Sequence, residues 1–392
     1  MDHNKENTSS DPISFFPSEI TAKIFNYLDT KDILAASEVS KSWYNFIADS
    51  SHCLRKVKLN FNAKMIADGE GIDNCISIME NNRRSYENID ITGIFFRNVM
   101  QALDMMKTST RWKNMNMKIS SFDSRMDYSI YFNTFANTME DLRMENIRVL
   151  NNNHDAVARD LSFPKLKVLQ AYNIEPAIIE DVFRNITTLD KLILGSYYLT
   201  EKAKDNIVKL LKSNKDLKIL ELSYSCFDDV MATENINEGI QFKLEKMYIG
   251  GDFFNCYNYQ DCIRNNFINF LASQRESLTT LVFDAWMGLD ILKMIYQLPN
   301  LKFLCIGNMH IVNESIDWEN VCLPKSKSLT EVTLLEFPDS CDMLKAFASG
   351  TPTSRINVTF KPYLNFLQRL HVAYKVKRTF GKELNLNVTN WY

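Results

Sequence analysis

The chain has 392 residues, 45% apolar and 24% charged, with a formal net charge of -3 from 45 lysines and arginines against 48 aspartates and glutamates. These values are ordinary for soluble globular protein and exclude a global electrostatic drive toward nucleic acid or an anionic membrane. The length allows two or three compact domains or one long repeat array, and no apolar run of about 18 residues is present, so no spanning helix is expected.

Residues 1–11 are polar and read as a disordered tail without the apolar stretch of a secretory signal. From Phe15 to Asp49 the pattern becomes helical. Pro17 suits a first helical turn, and Glu19 sits near the positive end of the helix dipole. Ile20, Ile24 and Leu28 recur at i, i+4, i+8, with Phe25 offset by one residue. Asp29 to Asp32 breaks the period and can cap a second helix near Ile33. Val39, Trp43 and Ile47 restart it. A three-helix unit of about 40 residues cannot bury that many large apolar groups by itself, which points to a docking surface for another protein. The alternative is a three-helix cap packed on the next domain.

The order Phe16-Pro17-x-Glu19-Ile20, Ile24-Phe25-x-Tyr27-Leu28, Lys31-Asp32-Ile33-Leu34, Val39-Ser40-Lys41-x-Trp43 resembles an F-box, with Phe16 where that motif usually has leucine. The resemblance covers residues 12–52. It implies binding to the adaptor subunit, and through it the cullin, of an SCF-type cullin–RING ubiquitin ligase. The adaptor contacts it implies are Phe16, Pro17, Ile20, Ile24, Phe25, Leu28, Leu34, Val39 and Trp43. In the tail, Lys5-Glu6-Asn7 is similar to a KEN-box degron.

From Leu54 onward a pattern apolar-x-x-apolar-x-apolar recurs, starting at Leu54, Tyr86, Trp112, Met139, Leu166, Leu189, Leu217, Leu244, Leu278, Leu301 and Leu329, with a weak copy around Ile356 and Val358. Successive starts lie between 23 residues (Leu166 to Leu189) and 34 residues (Leu244 to Leu278) apart. Between them, 176–185, 200–214, 260–274 and 288–299 carry helical stripes, for example Ala203, Ile207, Leu210 and Leu211. Strand then helix, repeated, gives a parallel sheet with helices on one side, and stacking supplies the core that no unit has alone. The array resembles a leucine-rich-repeat solenoid of about 11–12 units over 53–360. It is irregular: the position that regular repeats give to Asn or Cys holds Ile94, Ser120, Ile147, Ile174, Tyr197, Ser225, Asp252 and Trp286, so the turns must be satisfied differently. A doubly wound α/β domain with chance periodicity is the alternative.

Motifs for nucleotide, phosphate or zinc chemistry are absent. The five histidines show no paired spacing, and the eight cysteines form no CxxC pair, which fits free thiols in a reducing compartment. No metal and no cofactor are expected, and the chain reads as a non-enzyme.

Strand positions alternating with the core leucines should line the concave face. From the fifth unit on these include Val168, Gln170, Tyr172, Lys191, Ile193, Gly195, Ile219, Glu221, Lys246, Tyr248, Gly250, Val282, Phe303, Cys305, Gly307 and Leu335. The candidate substrate contacts are Tyr172, Ile193, Ile219, Glu221, Tyr248, Val282, Phe303, Cys305 and Leu335. Either a partner binds there with aromatic anchors, or the chain's own C-terminus covers the row, with Trp391 and Tyr392 as plugs. Residues 361–392 read as a C-terminal cap and tail, basic between Lys361 and Lys382.

The sequence therefore predicts an α/β protein: an N-terminal three-helix F-box, then an irregular leucine-rich-repeat solenoid with a parallel concave sheet and convex helices. The expected role is the substrate-recognition subunit of an SCF ubiquitin ligase, cytoplasmic, nuclear or both, with an unknown protein substrate and neither nucleic acid nor membrane as partner. The alternative role is an adaptor-binding scaffold that sequesters its partner without ubiquitylation.

Overall fold

A computed structural model describes residues 11–62, 87–95, 113–121, 135–145, 161–174, 176–183, 185–195, 199–234, 236–250, 261–283, 288–307, 317–337, 341–352, 355–360 and 383–386. The chain divides into two compact units, Met1–Leu166 and Lys167–Tyr392. The division falls inside the repeat region and not at the end of the three-helix segment.

The first unit opens with a 3-10 turn, Pro12–Phe15, and four helices: α1 (Ser18–Phe25), α2 (Thr30–Ala36), α3 (Lys41–Asp49) and the short α4 (Ser51–Leu54). Their starts are set by caps. Asp29 Oδ1 accepts from the Asp32 amide at 2.8 Å, which starts α2 three residues before Ile33. Ser40 Oγ accepts from the Trp43 amide at 3.2 Å and starts α3. Four parallel strands follow, β1 (Lys58–Asn62), β2 (Asn88–Phe95), β3 (Asn114–Ser121) and β4 (Asp141–Glu145), paired in chain order. Ile89, Met115 and Leu142 share one register position and are buried.

The second unit continues with β5 (Val168–Tyr172), β6 (Lys191–Gly195), β7 (Ile219–Leu222), β8 (Lys246–Ile249), β9 (Thr280–Phe283), β10 (Phe303–Ile306), β11 (Glu331–Phe337), β12 (Arg355–Phe360) and β13 (Glu383–Leu386). All are parallel and neighbours in sequence order. Helices Pro176–Val182, Glu201–Ser213, Tyr224–Met231, Asp261–Ser273, Leu289–Tyr296 and Cys341–Gly350 alternate with the strands. Register stacks Leu169, Leu192, Leu220, Met247, Leu281, Leu304 and Val332 into one fully buried row. A second row runs through Ala171, Leu194, Leu222, Ile249, Phe283, Ile306 and Leu334. The expected helix stripes are buried, including Ile207, Leu211, Phe267 and Leu292. Phe267 stacks on Phe283 at 5.3 Å, which joins helix Asp261–Ser273 to β9.

The turns are held by side-chain amides just past or within the helices, where no repeat consensus marked them. The Asn214 side chain accepts from the Leu189 amide at 2.7 Å and donates to the carbonyls of Ile186 (2.8 Å) and Leu210 (2.6 Å). Gln274 accepts from the Leu244 amide at 2.8 Å. Asn206 and Asn266 donate to the Glu180 and Met231 carbonyls of the preceding repeats. Each bond satisfies backbone groups that stacking takes away from water.

Helices Tyr224–Met231 and Cys341–Gly350 add to the expected ones and bury Phe227, Val230, Leu344 and Phe347. One expectation changes at the C-terminus. Glu383–Leu386 pairs in parallel with β12, Glu383 opposite Arg355, so the sheet extends past residue 360 and this segment adds a strand at its edge. The KEN-like tripeptide, residues 361–382, Trp391 and Tyr392 lie outside the described residues. Among the described residues no helix is long and apolar enough to cross a membrane. Cys53, Cys226 and Cys305 are buried and Cys322 is exposed, and none of the four is in a disulfide.

Candidate functional site

The helical segment has a core of its own. Phe25, Ile33, Ala36, Ile47, Ala48, Cys53 and Leu54 are buried. Phe25 meets Trp43 edge-on at 5.4 Å and Phe46 at 5.5 Å. This corrects the expectation for Phe25, which at 3% exposure has little surface to offer an adaptor. The cause is helical phase. Thr21 and Phe25 turn inward, Phe25 against α3, so Ile20 and Ile24, one residue earlier, point out at 41% and 48% exposure.

Among the described residues nine large apolar side chains are exposed, and seven of them, Phe15, Phe16, Ile20, Ile24, Tyr27, Leu34 and Val39, fall between Phe15 and Val39. Pro17 is exposed as well, while Leu28 and Trp43 are half-buried. The structure thus concentrates the expected contact residues, Phe25 excepted, on one small helical unit.

Asp11 was assigned to the tail and belongs to the folded unit. Its carboxylate accepts from the Trp43 indole at 2.7 Å, the Ser40 hydroxyl at 3.0 Å and the Ile13 amide at 3.2 Å. Burial pushes this carboxyl up. Hydrogen bonds from Trp43, Ile13, Ser40 and Ser42 outweigh that and hold it below its ordinary value of 3.8. The clasp fixes the Pro12–Phe15 turn and so places Phe15 and Phe16. An aspartate four residues ahead of an aromatic pair carries no signal of this role in sequence.

The segment also extends beyond residue 52. Thr30 Oγ1 donates to the Lys56 carbonyl at 2.6 Å, and the Lys56 ammonium donates to the carbonyls of Leu28 (2.9 Å) and Asn26. Asn88 at the start of β2 is 7% exposed and donates to the carbonyls of Leu54, Arg55 and Val57. Residues 53–57 are therefore the joint between helices and sheet.

The second site is the sheet face opposite the buried rows. In the second unit Val168, Gln170, Ile219, Glu221, Tyr248, Val282, Phe303 and Thr333 are half-buried there, and Tyr172 and Leu335 are exposed. Ile193 and Cys305 depart from the expected contacts: at 2% and 7% exposure they are covered, not presented. Gly195 offers no room to an incoming chain. A Cβ there would stand 2.7 Å from Tyr172 Cδ1, so the tyrosine ring lies across the glycine. Its hydroxyl reaches past β6 to donate to Glu221 Oε1 at 2.7 Å.

In the first unit the strand positions that alternate with Ile89, Met115 and Leu142 are polar at Lys58, Asn88, Asp90, Asn114, Asn116, Asp141 and Arg143. Lys58 pairs with Asp90 at 2.9 Å, Arg143 with Asp141 at 2.8 Å, and Asn114 donates to Asn88 at 2.5 Å.

An F-box-like family model matches residues 13–57, a range that holds the helices and the joint just described and begins two residues after Asp11. The chain thus carries an F-box-like domain at its N-terminal end. No curated protein matches the chain.

Proposed function

We propose that this chain is the non-catalytic substrate-recognition subunit of an SCF-type ubiquitin ligase. Its F-box-like domain docks on the adaptor and its repeat sheet holds a protein substrate. The observation that carries the reading is the crowding of exposed apolar side chains onto residues 15–39. A folded unit with its own core has no internal reason to expose Phe16, Ile20, Ile24, Tyr27 and Val39 together, and a partner that covers them supplies one. The irregular repeats resemble leucine-rich repeats in spacing and strand–helix alternation, and they offer a broad sheet face as a platform.

The chemistry in this reading belongs to other subunits. This chain contributes position: a substrate lysine held near the activated ubiquitin reacts as if at high effective concentration. The test is capture of the adaptor and cullin from purified components, followed by proximity labelling with and without proteasome inhibition. Failure of the intact chain to capture the adaptor refutes the proposal. Capture without any labelled protein that accumulates when this chain is depleted leaves the scaffold role in its place.

A further inference from the structure

Among the described residues, the face of β5–β8 opposite the buried rows carries two lysines, Lys191 and Lys246, outside any ion pair. Register places Ile219 between Lys191 and Lys246 on neighbouring strands. Strands lie about 4.8 Å apart, so the two lysine stems flank the isoleucine at a separation of about 10 Å. Neither ammonium group has an ion-pair partner among the described residues. The one carboxylate within these rows, Glu221, accepts from the Tyr172 hydroxyl at 2.7 Å and keeps its charge, so the rows hold two ammonium groups against one carboxylate.

The adjoining rim, where the chain enters the strands, adds exposed Lys167, Lys215, Lys218 and Lys243, against Asp190, Asp216 and Glu245. The first unit is built the other way, with Lys58 and Arg143 on its equivalent face closed by Asp90 and Asp141. Val168, Ile219 and Tyr248 are half-buried and Tyr172 is exposed on the β5–β8 patch. Its surface therefore alternates ammonium groups with apolar side chains.

We propose that this patch takes an acidic protein segment in which an apolar or aromatic anchor is flanked by carboxylates. The anchor packs on Ile219 and Tyr248, and the carboxylates meet Lys191 and Lys246 in charge-assisted hydrogen bonds. The inference rests on the reading of this face as the substrate platform and specifies its substrate class. Charge complementarity selects the occupant, because a purely apolar segment would leave both lysines half-desolvated and unpaired.

The probe is a fluorescein-labelled random copolymer of glutamate and tyrosine, titrated with the full-length chain, with polyglutamate and a single-stranded RNA of equal length alongside. Three results are expected. The copolymer binds more tightly than polyglutamate, and its affinity falls as salt rises from 50 to 300 mM, as screening requires (about 14 to about 6 Å of Debye length). The double variant Lys191→Ser, Lys246→Ser weakens it at least tenfold with an unchanged melting curve. Ile219→Ser weakens the copolymer but not polyglutamate. Undiminished binding by the double lysine variant overturns the proposal, as does tighter binding of the RNA or absence of copolymer binding at low salt. Adaptor capture, read on the same samples, reports on the ligase reading alone, so the two failures are distinguishable.

Discussion

Replacing Ile20 and Ile24 together by alanine probes the docking surface at its centre. Their exposures of 41% and 48% leave roughly half of each side chain for a partner to cover. Full burial of an isoleucine side chain contributes about 1.5–3 kcal/mol, so two halves contribute about the same sum. At about 1.4 kcal/mol per tenfold, the double variant should bind the adaptor about 10- to 150-fold more weakly. The fold should survive, since alanine is a better helix former than isoleucine and neither side chain belongs to the Phe25 core. Phe25→Ala supplies the contrast: a phenylalanine at 3% exposure should cost about 3–5 kcal/mol of stability and lose adaptor binding by unfolding. Calorimetric titration against purified adaptor, with a thermal melt of each variant, separates the two outcomes. Wild-type affinity in a well-folded Ile20→Ala, Ile24→Ala variant would refute the docking argument.

Other consequences test the framework that positions these surfaces. Asn214→Ala strands the Leu189 amide and two carbonyls in a buried turn, so urea unfolding should show a loss of about 3 kcal/mol; a loss below about 1 kcal/mol would mean water replaces the amide. Gly195→Ala drives a methyl group to 2.7 Å from the Tyr172 ring and should break the Tyr172–Glu221 bond. Adding Tyr172→Ala should then recover part of the lost stability, and a double-mutant cycle without coupling would contradict the contact. Asp11 titrates below 3.8 in the folded chain; its clasp therefore stabilises fully above that ordinary value and is lost as pH falls through the lowered one. Trp43 emission should shift to the red over that acid range, and Asp11→Asn should remove the transition.

Strand–helix alternation and the apolar rows are legible in residue types alone, because alternation and helical period are local properties. Leu169, Leu192 and Leu220 needed no coordinates to be placed in a core. The helical unit is legible too, since a cap residue such as Asp29 acts over three positions of chain. Which flank of α1 faces inward is set by packing across the helices. Ile24 and Phe25 are adjacent and both apolar, and the packing of α3 against Phe25, not their hydrophobicity, separates docking surface from core. The same holds for Asp11, whose partners Ser40 and Trp43 lie 29 and 32 residues away, and for Asn214, whose turn is closed across 25 and 28 residues. Hydrogen bonds that satisfy buried backbone groups across repeats leave no period in the sequence. The irregular array therefore showed where its strands lie without showing what holds its turns.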